Sequence, residues 1–245
     1  MTAITFFKLL IIEGIMKPHP NEEFNGTSDV VIKEIDGTYG VYSLKNVKKG
    51  DLVLFEPVTC AYVLRPKDLI GSQSDACAFV EAIYRSPLTL GRYFNSFRLT
   101  PIDGVFEKPP SHDRKFLKKV SKKFKKPYEE VVNIWRIVCT YHVRNYLLPS
   151  YKNDLKVRLQ MSPFFNRINH HCSPNSHGVC HFSNYEDFKT SVALVLAIED
   201  ISPGDEITYS YIDSRVLRAD KLTRREVLSD CYDFTCLCSR CLSES

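Results

Sequence analysis

Three cysteines stand within six residues near the end of the chain, in the sequence CLCSRC at positions 236–241. Thiolates at this spacing can converge on one tetrahedral zinc ion with Zn–S bonds of about 2.3 Å. Such a site ties the tail to whichever earlier segment supplies the fourth ligand, so it restricts the fold strongly. The alternative is a group of buried free thiols, since free cysteine is common in protein cores. The polar, terminal setting of these cysteines favours the metal.

The spacing of the tail cysteines does not identify the fourth ligand. The candidates are Cys172, Cys180, Cys231, His171, His177 and His181. The chain has nine cysteines, an odd number that does not fit a complete disulfide framework. We therefore expect a reducing compartment and a cytoplasmic and/or nuclear protein.

An apolar run, ITFFKLLII, occupies residues 4–12. No basic segment precedes it, Lys8 interrupts it and no small-residue cleavage site follows, so it does not resemble a secretion signal. It is also much shorter than the roughly 20 apolar residues that a membrane span needs. We expect a soluble chain without membrane contact.

Strand and helix signals alternate along the 245 residues, which can bury one sizeable core or two small ones. Residues 37–64 predict strands around a turn at Lys49-Gly50. Helices are predicted at 75–85, at 111–126 with Ser111 as cap, and from Pro127 to Pro149. Strands follow at 191–200 and in ITYSYID, then a helix from Asp213 to about Asp230. The order is β, helical insertion, β, helix and cysteine-rich tail, an α+β fold that is mainly β.

Three motifs in the second half occur together in one known family. They are NHHCSPN at 169–175, GDEITYSY at 204–211 and YDFTCLCSRC at 232–241. Their order, spacing and intervening helix resemble the SET domain, the fold of protein-lysine methyltransferases, in its post-SET zinc form, and most of all SMYD-like proteins. The resemblance implies a fold of short β-sheets with a helical insertion and a zinc-bound C-terminal tail.

The first half matches this family less closely. TYG at 38–40 has Thr38 where the family has the first glycine of a Gly-x-Gly turn. Residues 60–160 contain only three cysteines, too few for the zinc finger that SMYD proteins insert there, and the chain stops four residues after Cys241, before a helical C-terminal domain. The implied layout is an extension at 1–28, SET N-terminal strands at 29–66, a helical insertion at 67–160, a C-terminal core at 161–213, and a helix with the zinc tail at 214–245.

The resemblance also implies roles for individual residues. Zinc would be held by Cys172, Cys236, Cys238 and Cys241. S-adenosylmethionine would bind at Tyr39, Gly40, Asn169, His170, Tyr211, Tyr232 and Phe234. The Asn169 amide would hold its amino-acid end and the Phe234 ring would stack on adenine. The His170 backbone would meet the adenine edge, and the His170 ring would be structural.

Tyr211 corresponds to the family tyrosine that orients the lysine amine for methyl transfer. Tyr209 is the rival for this role, because residues two apart face the same side of a strand. The same alignment brings Cys139, Thr140 and His142 of the insertion towards the cofactor tail and the lysine channel.

A basic segment, RKFLKKVSKKFKK at 114–126, has an apolar face and a lysine face. Its ordinary interpretation is a solvated helix packed on the core. The functional alternative is docking on nucleic acid or an acidic partner.

The sequence therefore predicts an S-adenosylmethionine-dependent protein-lysine N-methyltransferase, a monomer whose substrate is a protein or peptide lysine, histone or non-histone. Two alternatives stay open. One is a SET-fold interaction module that has lost turnover but still binds the cofactor. The other is an unrelated zinc-binding nucleic-acid protein, which would not bind it.

Overall fold

The computed structural model describes residues 29–35, 38–58, 60–64, 72–86, 108–141, 143–147, 156–181 and 192–244. The strands within these residues are β1 (Val30–Ile35), β2 (Thr38–Ser43), β3 (Leu52–Pro57), β4 (Cys60–Leu64), β5 (Val143–Leu147), β6 (Lys156–Met161), β7 (Asn169–His170), β8 (Ser176–His181), β9 (Val192–Ala197) and β10 (Glu206–Tyr209). The helices are α1 (Ser72–Arg85), α2 (Ser111–Phe124), α3 (Tyr128–Tyr141), α4 (Ser214–Leu217), α5 (Lys221–Tyr232) and α6 (Ser239–Ser243), with a 3-10 turn at Phe165–Arg167. None of the helices in these segments is long and apolar enough to cross a bilayer.

The strands form small sheets in which segments distant in sequence become neighbours. One sheet has the order β1-β2-β10-β7, with β10 antiparallel to β2 and parallel to β7. This pairing places Asn169 opposite Thr208 and His170 opposite Tyr209. The first two motifs of the sequence therefore meet edge to edge, beside the strand that carries Gly40.

Two further antiparallel sheets complete the β structure of the described segments. Their orders are β3-β9-β8 and β4-β6-β5. The predicted turn before β3 contains Gly50 at φ +93°, and the turn before β10 contains Gly204 at φ +89°. Both glycines adopt the left-handed conformation that other residues rarely take.

The helices α1, α2 and α3 pack around their own apolar core. Trp135 of α3 is fully buried there, together with Phe79 of α1 and Leu117 of α2. The indole N–H of Trp135 donates to the buried Asp113 carboxylate at 3.2 Å. The apolar face predicted for α2 is one of the faces that form this core.

Several predicted details of this region were wrong. Ser111 is the first helical residue and makes no capping bond, because Pro110 occupies the N-cap position of α2. The helix α3 ends at Tyr141 rather than at Pro149, and β5 follows it. Residues 67–160 thus contain strands as well as helices. The period-two alternation of KVRLQM in β6 is the strand signal that the helical interpretation overlooked.

The segment after β10 also differs from its prediction. Asp213 does cap a helix, accepting from the N–H groups of Arg215 at 2.7 Å and Val216 at 3.1 Å. That helix, α4, has only four residues, and Asp220 starts α5 by accepting from the N–H of Thr223 at 2.9 Å. The second cap was missed because the charged stretch was treated as one continuous helix.

Candidate functional site: a four-cysteine cluster beside an aromatic pocket

Four cysteines from two distant segments meet at the end of the chain. Cys172 lies just after β7, and the other three come from the tail, namely Cys236, Cys238 and Cys241. Their sulfur atoms all lie within 4.8 Å of one another, and three of the four residues are buried. This is the set that the family resemblance implied. Among the other candidate ligands, Cys231 and His177 are exposed, and the side chains of Cys180 and His181 lie outside the described residues.

The geometry of the cluster fits a tetrahedral metal. The Sγ of Cys172 is 3.9 Å from that of Cys236 and 3.5 Å from that of Cys241. Four sulfurs on one zinc ion with bonds of about 2.3 Å would be about 3.8 Å apart. No disulfide could form at such separations without movement, since an S–S bond is about 2.05 Å long. The donor set and the spacing therefore both suit Zn²⁺.

Cations and N–H groups surround the sulfurs. Arg224 of α5 is fully buried and its guanidinium lies 3.4 Å from the Cys241 Sγ, while it pairs with Glu244 at 2.7 Å. The His170 Nε2 lies 3.3 Å from the Cys172 Sγ. Four thiolates on one Zn²⁺ carry an excess of negative charge, and donors of this kind stabilise it. Arg224 was not foreseen from the sequence, where it is one of many charges on α5.

The pKa values of the thiols differ around the cluster. Burial raises the pKa of Cys172 and raises that of Cys236 to about 11. At Cys238, burial is outweighed by hydrogen bonds to the backbone of Cys172 and Cys241, and the pKa falls to about 7. A bound divalent cation stabilises the deprotonated form of all its thiol ligands.

Hydrogen bonds join the Cys172 loop to the tail. One guanidinium nitrogen of Arg240 donates to the carbonyls of Cys172 and Leu217, both at 2.9 Å. The ring of His171 accepts from the Ser173 N–H at 2.9 Å through Nδ1, and its Nε2 lies 3.2 Å from the Ser239 hydroxyl. The tail is thus attached to the loop by polar contacts as well as by the cysteines.

Asn169 lies at the centre of a polar corner between β2, β7 and β10. Its Nδ2 donates to the Tyr39 carbonyl at 2.9 Å and to the Glu206 Oε1 at 2.7 Å. A Cβ on Gly40 would come 2.4 Å from the Glu206 Oε1 and 3.2 Å from the Asn169 Nδ2, so a larger residue there would displace the Glu206 carboxylate. The predicted cofactor residues Tyr39, Gly40 and Asn169 are therefore in contact. Glu206, which orients the Asn169 amide, was missed.

An aromatic cluster adjoins this corner and includes the remaining predicted cofactor residues. The Tyr211 ring lies 5.1 Å from that of Tyr209, 5.0 Å from that of Tyr232 and 6.3 Å from that of Phe234, centroid to centroid. The His170 ring lies 6.1 Å from that of Phe234. Tyr232 is 47% exposed, so the cluster opens to solvent on this side.

Three hydrogen bonds hold Tyr211, at its backbone N–H, its backbone carbonyl and its side-chain hydroxyl. Its N–H donates to the His170 Nδ1 at 3.0 Å, and its carbonyl accepts from the Tyr232 hydroxyl at 2.9 Å. Its own hydroxyl donates to the Ile168 carbonyl at 2.8 Å. Burial, followed by the nearby His171 and Arg224, lowers the pKa of His170 to about 4, so this ring is neutral at pH 7. Tyr211 thus has a defined orientation.

A buried carboxylate supports the segment that leads into Asn169. Glu56 of β3 accepts from the N–H groups of Phe164 and Phe165, each at 2.9 Å, at the start of the 3-10 turn. Burial raises the pKa of Glu56 to about 7 although these bonds and Arg167 oppose the shift. The residue was not singled out from the sequence, because its partners are more than 100 positions away.

The insertion residues that were expected near the cofactor have contacts of their own. Cys139 packs against the helical core, and the Thr140 hydroxyl donates to the Arg136 carbonyl one turn earlier in α3. His142 lies outside the described residues. Their approach to the cofactor stays a prediction.

The chain is similar to a known family and to several known proteins. A family model described as "SET domain" matches residues 38–212. Relatives include the mouse protein-lysine N-trimethyltransferase SMYD5, 36% identical over 77 residues that cover 31% of this chain and 17% of that protein. The zebrafish N-lysine methyltransferase SMYD2-B is 40% identical over 87 residues, which cover 36% of this chain and 18% of that protein.

A plant relative and a solved structure extend the comparison. The histone-lysine N-methyltransferase ATXR2 of Arabidopsis thaliana is 36% identical over 83 residues, 34% of this chain and 16% of that protein. In each relative, the chain spans less than a fifth of the relative's length. The structure of the SET domain of LSMT bound to lysine and AdoHcy covers 95% of this chain and 56% of that one, at 15% identity and a TM-score of 0.49.

Proposed function

The chain belongs to the SET-domain family, and from this premise we propose that it is an S-adenosylmethionine-dependent protein-lysine N-methyltransferase. The observation that carries the proposal is the placement of Tyr211. Its hydroxyl and backbone are held in one orientation, within an aromatic cluster that adjoins the Asn169 amide. Such a position suits a residue that aligns two reacting groups rather than one that reacts itself.

S-adenosylmethionine, when bound, supplies an electrophilic methyl group on a sulfonium. The Asn169 amide, oriented by Glu206, is placed to hold a polar part of this cofactor, and the tail ring of Phe234 offers a face for an adenine. Zinc at the four cysteines would fix the tail that carries Phe234 and Tyr232. The metal would thus have a structural role, while the pocket residues would bind the cofactor.

The nucleophile must be a neutral lysine amine. A free lysine has a pKa of about 10.4, so presenting the neutral form at pH 7 costs on the order of 4 to 5 kcal/mol. Aromatic walls disfavour the ammonium by desolvation, which lowers this cost. The rings of Tyr209 and Tyr211, 5.1 Å apart, supply such a wall, and the Tyr211 hydroxyl can hold the amine lone pair in line with the methyl group.

Transfer of a labelled methyl group from S-adenosylmethionine tests this activity. The purified protein is added to a cell lysate and to core histones, and labelled proteins are identified. New lysine methylation that depends on the protein supports the proposal. Cofactor binding without transfer to any protein would instead indicate an interaction module that has lost turnover. Histones are a reasonable first substrate because one relative is named a histone-lysine N-methyltransferase.

The cofactor pocket gives a binding prediction. We expect Asn169→Ala and Phe234→Ala each to weaken S-adenosylmethionine binding by about 1 to 3 kcal/mol, through a lost polar contact and lost stacking. Calorimetry on the zinc-loaded protein measures both. The control is Leu237→Ala, because Leu237 lies in the same tail but is 67% exposed. Wild-type affinity in both pocket variants would contradict the assignment.

We also propose that α2 and the residues after it dock on a polyanion, with duplex DNA as the first candidate. Residues 114–126 carry eight basic and no acidic side chains, whereas the rest of the chain has 25 basic and 29 acidic ones. Lys118, Lys119, Lys122 and Lys125 are exposed. Lys123 differs from them, because it pairs with Glu81 of α1 at 2.7 Å. The positive charge is thus concentrated on one exposed face.

Charge reversal tests this docking face. Lys118→Glu, Lys122→Glu and Lys125→Glu together should weaken binding to duplex DNA and reduce the salt slope, d log K/d log [salt], by about 3. Binding is measured by fluorescence anisotropy at several salt concentrations.

The matched control reverses three exposed basic residues elsewhere, Lys33, Lys49 and Arg218. An equal loss in the control would show only a net-charge effect. If this face binds an acidic protein and not DNA, the partner is that protein rather than nucleic acid. If the α2 variant binds as tightly as the wild type, the face is only solvated.

A further inference from the structure

His170 lies between the four-cysteine cluster and Tyr211. Its Nδ1 is 3.0 Å from the backbone nitrogen of Tyr211, and its Nε2 is 3.3 Å from the Sγ of Cys172. The two ring nitrogens therefore contact two different parts of the site. The ring also packs 5.4 Å from the Tyr211 ring.

The partners determine which nitrogen carries the proton. A backbone N–H can only donate, so the Nδ1 that faces Tyr211 must accept and carries no proton. A neutral imidazole then has its proton on Nε2, which points at the Cys172 sulfur. A thiolate bound to a metal is an acceptor for such a donor. When Cys172 is a metal-bound thiolate, one tautomer satisfies both contacts and the opposite tautomer satisfies neither.

We propose that His170 is a positioning residue that couples the occupancy of the metal site to the orientation of Tyr211. With zinc bound, the Cys172 thiolate accepts from Nε2–H and holds the ring, and the ring's Nδ1 holds the Tyr211 backbone. Without zinc, neither the Cys172 sulfur nor the tail is held in place, so the ring loses its anchor. This inference rests on the zinc site of the proposed function and adds a route from that site to Tyr211.

The neighbouring His171 provides an internal comparison. It also accepts a backbone N–H at Nδ1, from Ser173, and its Nε2 faces the Ser239 hydroxyl. Its contacts are to loop and tail atoms rather than to a sulfur or to Tyr211. Substitution of His171 therefore perturbs the same loop without touching the proposed connection.

Two substitutions separate the two contacts of His170. In His170→Asn, the amide oxygen can stand near the Nδ1 position and keep the Tyr211 bond, while the donor to Cys172 is lost. In His170→Gln, the amide NH₂ can stand near the Nε2 position and keep the sulfur contact, while the acceptor for Tyr211 is lost. A connecting role predicts opposite phenotypes for the two variants.

The readouts are zinc release to a chelator and hydrogen exchange at the Tyr211 amide. We expect His170→Asn to release zinc about 10-fold faster or more, with Tyr211 exchange close to wild type. We expect His170→Gln to release zinc within about 3-fold of the wild-type rate, with Tyr211 exchange at least about 10-fold faster. His171→Asn should leave both close to wild type. Equal effects of both His170 variants on both readouts, or no effect of either, would overturn the proposal.

A wild-type measurement does not depend on any variant folding. NMR of the ring nitrogens of zinc-loaded protein should show His170 neutral with its proton on Nε2 at pH 7. A proton on Nδ1, or on both nitrogens, would overturn the proposed connection. Metal analysis of the same sample distinguishes a failure of the metal site from a failure of the His170 role. A folded protein without zinc contradicts the metal site itself. A zinc-loaded protein with the wrong tautomer contradicts only the role of His170.

Discussion

Tyr211→Phe is expected to lower single-turnover methyl transfer by about 10- to 1000-fold while S-adenosylmethionine affinity and folding stay close to wild type. The hydroxyl is the only group that this substitution removes. It donates to the Ile168 carbonyl at 2.8 Å in the structure, at the point where β7 begins. A hydroxyl that aligns a neutral amine acts mainly in the transition state, so its loss should affect rate far more than binding.

Tyr209→Phe is the matched control for this substitution. The two rings are neighbours at 5.1 Å, and the Tyr209 ring packs 5.3 Å from that of Phe165. We expect a rate loss of less than about 3-fold, because the ring would remain as a wall of the proposed lysine channel. Rapid-quench assays with a substrate peptide measure both variants, with cofactor affinity measured in parallel.

Three outcomes would change the assignment. Full rate in Tyr211→Phe would contradict the orienting role. A larger loss in Tyr209→Phe would transfer that role to Tyr209. A rate loss in Tyr211→Phe that only matches a loss of cofactor affinity would make Tyr211 a pocket wall.

The sequence pointed to residues that lie close together in the structure, but not to the contacts that join them. The order and spacing of three motifs identified the SET fold, and the family model later confirmed it over residues 38–212. The tail cysteines were visible from spacing alone. Cys172 could be chosen only from the family resemblance, because it lies 64 positions before Cys236 and local spacing carries no information over that distance.

Two of the missed site residues have partners that are distant in sequence. Glu206 contacts Asn169 across 37 positions, and Glu56 contacts Phe164 across 108. Arg224 is only 17 positions from Cys241, but nothing in its sequence context distinguishes a fully buried guanidinium from a solvated one. The strand β6, in contrast, has a local signal in the sequence, because it follows the period-two alternation of a strand.

Removal of the metal should have the largest effect on structure. We expect one zinc per chain, and we expect Cys172→Ala or strong chelation to disorder the tail from about Tyr232 onwards. Binding of a structural zinc ion contributes about 10 to 16 kcal/mol to folding in small zinc domains, far more than the polar contacts of Arg240 and His171 can replace. Far-ultraviolet circular dichroism and hydrogen exchange of the tail measure the change.

The same treatment should weaken S-adenosylmethionine binding about 30- to 150-fold. The tail carries Phe234 and Tyr232, the last residue of α5, so two aromatic contacts of about 1 to 1.5 kcal/mol each would be lost together. Cys231→Ala is the control, since Cys231 lies in the same helix but is exposed and outside the cluster. It should keep one zinc per chain and full affinity. Folded, zinc-free wild-type protein with normal cofactor affinity would contradict both the metal site and its connection to the pocket.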